Sequence, residues 1–391
     1  MLAELDYEVI VAAGLAGLRE ADHPRLELLR RGPVSRVLDV SADLRADGLS
    51  LAGLRRHASA LGVDLALLTE ADDVLEQVAG WDDGEGMPAR LLALFIRSTN
   101  YQYTPRPVGP RAGRLLRRLR GVGRSRAEES HRRLAARRPR GVLALVLDEL
   151  YAARHSASHH WLPDIYRDPD VTLSDAREPR EWADRLERFM RVAARPLFVY
   201  IGTNQHRRGY DSVLRLALKE GGCVAHCGRF ELDGEPSDPD VRTMRATLSE
   251  GGRLLETRGP YLDAATADVF LRAARCVVLP YRGHEGSSGV MLQALAAGRP
   301  VLVPDRGLMA YRVRTFGLGA TFTDGDEADL RRRFRELEEH GSEPFAGALA
   351  RYMDYFARPQ LVAALESAVT GEGDGARLPR PPAGMVAGGE V

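Results

Sequence analysis

The sequence predicts an α/β protein of two domains, each built on parallel strands. Three observations carry this prediction. The chain has 391 residues, more than one hydrophobic core ordinarily serves. Short apolar runs such as YEVIVAAG (7–14), GVLALVLDE (141–149) and RPVLVPD (299–305) read as buried strands, with segments of helical spacing between them. The rhythm breaks at Trp161, in a stretch rich in Pro, Asp and Arg, and restarts at PLFVYIGT (196–203).

In the first half, YEVIVAAG and RVLDVSAD (from Arg36) are strand candidates. LAGLRRHASALG (51–62) has helical spacing, and VDLALLTEAD (63–72) follows as a strand. RLLALFIRST (90–99) fits strand or helix, because periodicity does not separate the two in a short apolar run. GVLALVLDE closes the series. Alternation of this kind builds a parallel sheet.

The second half opens with a helix at 180–194 and the strand PLFVYIGT. GYDSVLRLALKEG is a helix ended by Gly221 and Gly222, and CVAHCG (223–228) is a strand. TADVFLRAA (266–274) is a helix, CVVLPY (276–281) a strand, and SGVMLQALAAG (288–298) a helix closed by Gly298. RPVLVPD is a strand, ADLRRRFRELEEH (328–340) a charged helix, and residues 349–369 one or two helices. The expected division is therefore 1–163 for the N-terminal domain, 164–195 for a linker and hinge helix, 196–342 for the second domain, 343–370 for terminal helices, and 371–391 for a disordered tail.

Lys plus Arg and Asp plus Glu cancel at 55 each, which argues against a nucleic-acid partner held by bulk charge. Nearly all the positive charge is arginine; Lys219 is the lone lysine. Residues 106–140 are dense in Arg. They read as a solvated helix pair, or as a patch for peripheral contact with an anionic membrane or an anionic acceptor. The cysteines are Cys223, Cys227 and Cys276, an odd count with no disulfide framework. Cys223 and Cys227 have no second ligand pair after them, so no metal site is expected, and a reducing cytoplasm fits. The N-terminal apolar run follows Glu4 and Asp6, unlike a secretory signal, and is too short to span a bilayer.

The chemistry concentrates in EGSSGVMLQALAAGRPVLV (285–303). CVVLPY ends at Tyr281 and the next helix starts near Ser288, so the loop between lies beyond a strand's carboxyl end, where α/β sheets bind ligands. Gly286, Ser287, Ser288 and Gly289 let a ligand approach the backbone, and free N–H groups at a helix start favour an anion. Ser287 and Ser288 can donate or cap. Glu285 would repel a phosphate unless it faces hydroxyl groups, as on a sugar attached to that phosphate. The plainer reading is a capped loop with an exposed acid.

This stretch resembles the donor-site signature of retaining glycosyltransferases of the GT-B fold, especially glycosyltransferase family 4. Glu285 takes the first acid position and Gln293, seven residues intervening, the second; Ala294, Ala297, Gly298, Pro300 and Val301 continue the pattern. The resemblance implies two Rossmann-like domains facing each other across a cleft. It implies that Glu285 contacts donor-sugar hydroxyls and Gln293 a ribose hydroxyl. PLFVYIGTNQHRRGYDSVLRLA resembles the strand–loop–helix opening the family's donor domain, with Gly202 in the loop, Thr203 in place of its usual Arg, Arg208 at its Lys position and Arg207 adjacent. Arg258 and Tyr261 fall near the nucleotide base, and the family's Glu in the loop after Val303 falls on Tyr311. The family's first strand leads into a glycine-rich loop, whereas YEVIVAAG looks like its second strand. Either the chain starts one strand late or the acceptor side is built differently.

By resemblance, the activity is transfer of a sugar, hexosyltransferase-like, from a nucleotide-diphosphate sugar to a sugar-containing or otherwise hydroxylated acceptor. Retention of configuration and independence of metal or other cofactor are implied. Glu285 and Arg208 are the catalytic candidates. Asn100, Tyr101 and Tyr103 follow a strand candidate and are placed at the acceptor by the strand-end rule. His155, His159 and His160 match no family position. DPD (168–170) and DGD (324–326) read as solvated loops. Two alternatives stay open. One is a catalytically silent GT-B relative acting as a sugar-nucleotide-binding or partner subunit, suggested by Thr203, Gln293 and the missing glycine loop. The other is an inverting enzyme, which needs an N-terminal base that the sequence does not identify.

Overall fold

The structure is a computed structural model. It describes residues 10–13, 36–39, 65–68, 90–95 and isolated positions between 56 and 137, then 141–149, 152, 158–164, 177–193, 196–204, 206–228, 238–257 and 264–370. The described residues fall into two compact units. One takes the chain up to Pro163 and the last helix from Pro359; the other holds Asp164–Arg358.

Among the described residues the first unit contains six strands: β1 (Ile10–Ala13), β2 (Arg36–Asp39), β3 (Leu65–Leu68), β4 (Arg90–Phe95), β5 (Val142–Val146) and β6 (His159–Trp161). β1 pairs with β2, and β3 to β6 form a second sheet in chain order, every pairing parallel. The ambiguous run from Arg90 is therefore a strand: Leu91, Leu92, Ala93 and Phe95 are buried, as expected of a strand covered on both faces. Trp161 ends β6 and does not open the linker.

The second unit begins with α1 (Arg177–Ala193), whose Leu186 is buried and whose Trp182 packs its ring 5.8 Å from Phe270. Then follow β7 (Leu197–Ile201), α2 (Tyr210–Lys219), β8 (Cys223–Cys227), α3 (Pro239–Glu250), β9 (Leu254–Glu256), α4 (Ala264–Ala273), β10 (Val277–Val278), α5 (Gly289–Ala296), β11 (Val301–Pro304), α6 (Gly307–Phe316), β12 (Gly319–Phe322), α7 (Glu327–His340) and α8 (Ala346–Tyr355). α9 (Arg358–Thr370) ends the described chain, so residues 349–369 form two helices and not one. α3, α6 and β9 were not foreseen, and Tyr311, read as part of a loop, lies on α6; Asp238 caps α3, accepting from the Asp240 N–H at 2.9 Å, and Pro239 sits in its first turn.

The strands form two parallel sheets, β7-β8-β9 and β10-β11-β12, with β7 beside β10. Chain order reverses between β7 and β10, the switch point at which such sheets bind ligands. β7, β8 and β11 are buried at every position, so they read as continuous apolar runs. The helices meet them with apolar stripes at helical spacing: Tyr210, Val213, Leu214 and Ala217 on α2, and Leu330, Phe334 and Leu337 on α7. The Phe334 ring lies 4.5 Å from that of Phe198 on β7. Truncating a buried ring of this kind typically costs about 3–5 kcal/mol.

Candidate functional site: the loops at the switch point

Two loops leave the sheet at the switch point. One follows β7 and carries Gly202 to Gly209; the other follows β10 and carries Tyr281 to Ser288. They are held together by backbone: the Arg282 N–H donates to the Arg207 carbonyl at 2.9 Å. Gly209 has a left-handed backbone (φ 70°), and a Cβ there would stand 2.2 Å from the Pro280 carbonyl oxygen. Only glycine allows that approach.

Arg282 locks the junction. Its guanidinium donates to both Asp211 carboxylate oxygens, at 2.7 and 2.6 Å, to Ser212 Oγ at 2.8 Å, and to the His206 carbonyl at 2.6 Å. Burial pushes the Asp211 carboxyl up, but hydrogen bonds and charge from Arg282 outweigh it and hold the group below its ordinary value. Asp211 also lies in the first turn of α2, where a negative charge is favourable.

The turn so fixed is a short 3₁₀ segment, His206–Arg208. It lays the Arg208 guanidinium over Gly202, where a Cβ would meet Nη1 at 2.5 Å. Among the described residues no carboxylate pairs with Arg208; its charge acts on Tyr200, Tyr281 and His284. Arg207 is exposed. The Thr203 carbonyl accepts from Tyr200 Oη at 2.7 Å. Gly202 (φ 113°) is held from behind by His226, buried on β8, whose Nε2–H donates to the Gly202 carbonyl at 2.9 Å. Glu256 stands behind His226, with Arg245 donating to its two oxygens at 3.1 and 2.9 Å. Burial pushes Glu256 up, but His226 and Arg245 outweigh that and bring it down to about 2. His226 therefore does more than the sequence suggests, since a histidine inside an apolar strand gives no hint of its long-range partner.

In the second loop, Ser288 caps α5 by accepting from the Met291 N–H at 3.3 Å. Gly289 is the first helical residue, one past the start expected near Ser288. Among the described residues, no acceptor meets the main-chain N–H groups of Gly286, Ser287, Ser288 and Gly289. His284 braces the turn through Nε2–H to the Ser287 carbonyl at 2.8 Å, and burial holds its imidazole below the ordinary value. The Ser287 hydroxyl donates to Asp164, so it is not turned to a phosphate. Gln293 Oε1 is buried without a donor among the described residues.

Glu285 is buried and not the exposed acid of the plainer sequence reading. Its Oε1 accepts from Arg306 at 3.0 Å, and Arg306 donates also to Asp324 at 2.8 Å. Asp324 thus belongs to an ion-pair chain, and Asp326 caps α7 through the Ala328 and Asp329 N–H groups. The DGD segment is a turn with Gly325 and Asp326 exposed, as read from the sequence, and its two acids also serve the structure. Gly307 (φ 71°) packs on the Glu285 main chain, where a Cβ would stand 2.6 Å from Cα.

Arg258, Tyr261, Asn100, Tyr101 and Tyr103 lie outside the described residues, as do His155, DPD (168–170), most of the 106–140 segment and the 371–391 tail. His159 and His160 lie on β6, His159 buried with its ring against Ser158 Oγ at 2.9 Å. Among the described residues no group of three or more His, Cys, Asp and Glu could hold a metal ion, and no helix is long and apolar enough to cross a membrane.

Paired parallel sheets with the site at the switch point of the second define the class: the fold is GT-B, the two-Rossmann-domain architecture of glycosyltransferases. Among solved structures the chain is similar to HepE from Anabaena in complex with UDP, with a TM-score of 0.61, 13% identity, and coverage of 93% of this chain and 100% of that one. It is similar to a glycosyltransferase from Rickettsia africae, with a TM-score of 0.60, 9% identity, and coverage of 95% and 93%. Sucrose-phosphate synthase from Thermosynechococcus elongatus matches at a TM-score of 0.51 and 16% identity, over 82% and 76%. No protein-family model and no curated protein sequence matches the chain.

Proposed function

We propose that this protein is a glycosyltransferase, hexosyltransferase-like, which moves a sugar from a nucleotide-diphosphate sugar to a hydroxyl of a sugar-containing or otherwise hydroxylated acceptor, with retention and without a metal. One observation carries the reading. The Arg208 guanidinium, with no described carboxylate partner, shares the switch point with the open amides of 286–289. A cation and a ring of N–H groups at a helix start are what a diphosphate needs.

Cleaving the bond between the anomeric carbon and the diphosphate oxygen leaves negative charge on the diphosphate and positive charge on the sugar ring. Arg208 and the amides stabilise the first; preorganised donors of this kind give about 3 kcal/mol each. Glu285 lies beside them as an acceptor for sugar hydroxyls, its carboxylate oriented by Arg306. A ribose hydroxyl donating to Gln293 Oε1 would satisfy a buried acceptor that otherwise costs stability. Similarity to HepE, which was solved with UDP and with UDP-glucose, makes uridine the first base to test. We infer a cytoplasmic location, in keeping with the free cysteines Cys223, Cys227 and Cys276.

The test is a thermal-shift screen with UDP-, GDP-, ADP- and dTDP-sugars. Ligand at about 100 times its dissociation constant stabilises the folded state by about 2.7 kcal/mol. A shift with one nucleotide class is expected, together with turnover that is unaffected by a chelator and abolished in Glu285→Ala. A shift without turnover on any acceptor would favour the silent relative. No shift with any nucleotide would refute the proposal.

A further inference from the structure

We propose that Arg312 is a positioning residue for the donor loop and acts through the Ser287 hydroxyl. The inference rests on reading that loop as the diphosphate site. Arg312 is 1% exposed, the largest fully buried side chain among the described residues. Its Nη1 donates to Ser287 Oγ at 3.2 Å and to Asp164 Oδ2 at 3.3 Å, and Ser287 in turn donates its hydroxyl proton to Asp164. The guanidinium carbon lies 5.1 Å from the Phe356 ring centroid. Three separate segments of the chain thus converge on one charge.

The chemistry makes this a firm anchor. Arginine does not lose its proton in proteins, so a buried guanidinium must be matched by a carboxylate and by acceptors. Asp164 supplies the charge and Ser287 an acceptor. The guanidinium is rigid and planar, so it fixes direction as well as distance.

The placement follows from α6. That helix meets the donor loop at two levels on one face: the Leu308 N–H donates to the Glu285 carbonyl at 2.8 Å, and Arg312, one turn on, reaches Ser287. The loop is therefore tied at Glu285 and at Ser287, on either side of Gly286. With its proton given to Asp164, the Ser287 side chain is drawn to the helix, and the amides of 286–289 are left to the ligand. A small displacement of such amides from a diphosphate costs rate far out of proportion to the distance.

Hydrogen exchange of the Met291, Leu292 and Leu308 amides, which donate to Ser288 and Glu285 of the loop, tests this in the full chain, with and without UDP. Ser287→Ala keeps the Asp164–Arg312 pair and removes only the hydroxyl. Arg312→Lys keeps the charge but not the fork. Both should speed exchange of these amides about tenfold, raise the KM for the sugar nucleotide and leave the KM for the acceptor unchanged. Asp164→Asn should act in the same direction, and its effect should not add to that of Ser287→Ala, since both break one network. Exchange equal to wild type in Ser287→Ala would overturn the inference, as would loss of global stability with the loop unaltered in Arg312→Lys. UDP separates the two readings. Loosening in the variants without UDP protection of wild type would refute the diphosphate site and keep the anchor; protection without loosening would do the reverse.

Discussion

Gly209→Ala offers a sharp test of how the two loops are joined. The residue has φ 70° and ψ 31°, a left-handed conformation that costs a residue with a Cβ about 1–2 kcal/mol. The new methyl would also stand 2.2 Å from the Pro280 carbonyl oxygen, 2.7 Å from its Cγ and 2.9 Å from its carbonyl carbon. Two of these are backbone atoms of the neighbouring loop, which cannot rotate aside. Overpacking of this kind costs a further 1–3 kcal/mol, roughly. The sum is about 2–5 kcal/mol, and in a domain of this size each kcal/mol lowers the midpoint by about 2–4 °C. Gly298→Ala is the control: φ is 72°, but no atom lies within 4 Å of its Cβ position, so only the conformational cost remains. Thermal denaturation of the two variants by circular dichroism measures the difference. Equal destabilisation would refute the contact and with it the claim that the loops are locked. A larger loss in Gly209→Ala should be matched by weaker UDP binding than in Gly298→Ala, because the first displaces the turn that carries Arg208.

Arg208→Ala should weaken UDP about tenfold to a hundredfold, the range for a lost hydrogen bond from a charged group, without lowering the melting temperature, since no described carboxylate is left unpaired; unchanged affinity by calorimetry would remove Arg208 from the site. For pH, Glu256 falls from its ordinary 4.5 to about 2 in the folded protein, so its stabilisation is complete above pH 4.5 and is lost as pH falls toward 2. The gap corresponds to about 3 kcal/mol. Urea midpoints between pH 5 and pH 2, in that range, should fall more steeply for wild type than for Glu256→Gln; parallel curves would contradict the ion pair with Arg245.

Most strands and helices of the second unit were legible because apolar periodicity is local; α3, α6 and β9 were not. The loop between β10 and α5 was legible as a loop because small residues between a strand and a helix mark a break that is local. What the sequence hid were charges with distant partners. Arg282 meets Asp211 across 71 positions, and Arg312 meets Asp164 across 148. Each residue, taken alone, resembles an ordinary surface charge in an arginine-rich chain. Arg312 did leave a trace: it shares the buried stripe of Leu308, Met309, Val313 and Phe316, and an arginine inside such a stripe must be paired. β9 was missed for the opposite reason: it has only three residues, none of them fully buried. Glu285 lies between β10 and α5, as the sequence placed it, but its partner Arg306 comes from the loop after β11, for which spacing gave no cue.

The Arg282 clamp has a consequence for engineering. Its bonds tie the His206–Arg208 turn and the start of α2 to the segment that leads into the acidic loop. Neither loop is a modular part. Transplanting the glycine–serine segment into a homologous scaffold without its arginine and the matching aspartate would leave the guanidinium above Gly202 without a fixed seat, so recombination breakpoints belong outside the span from β7 to β11, not within it.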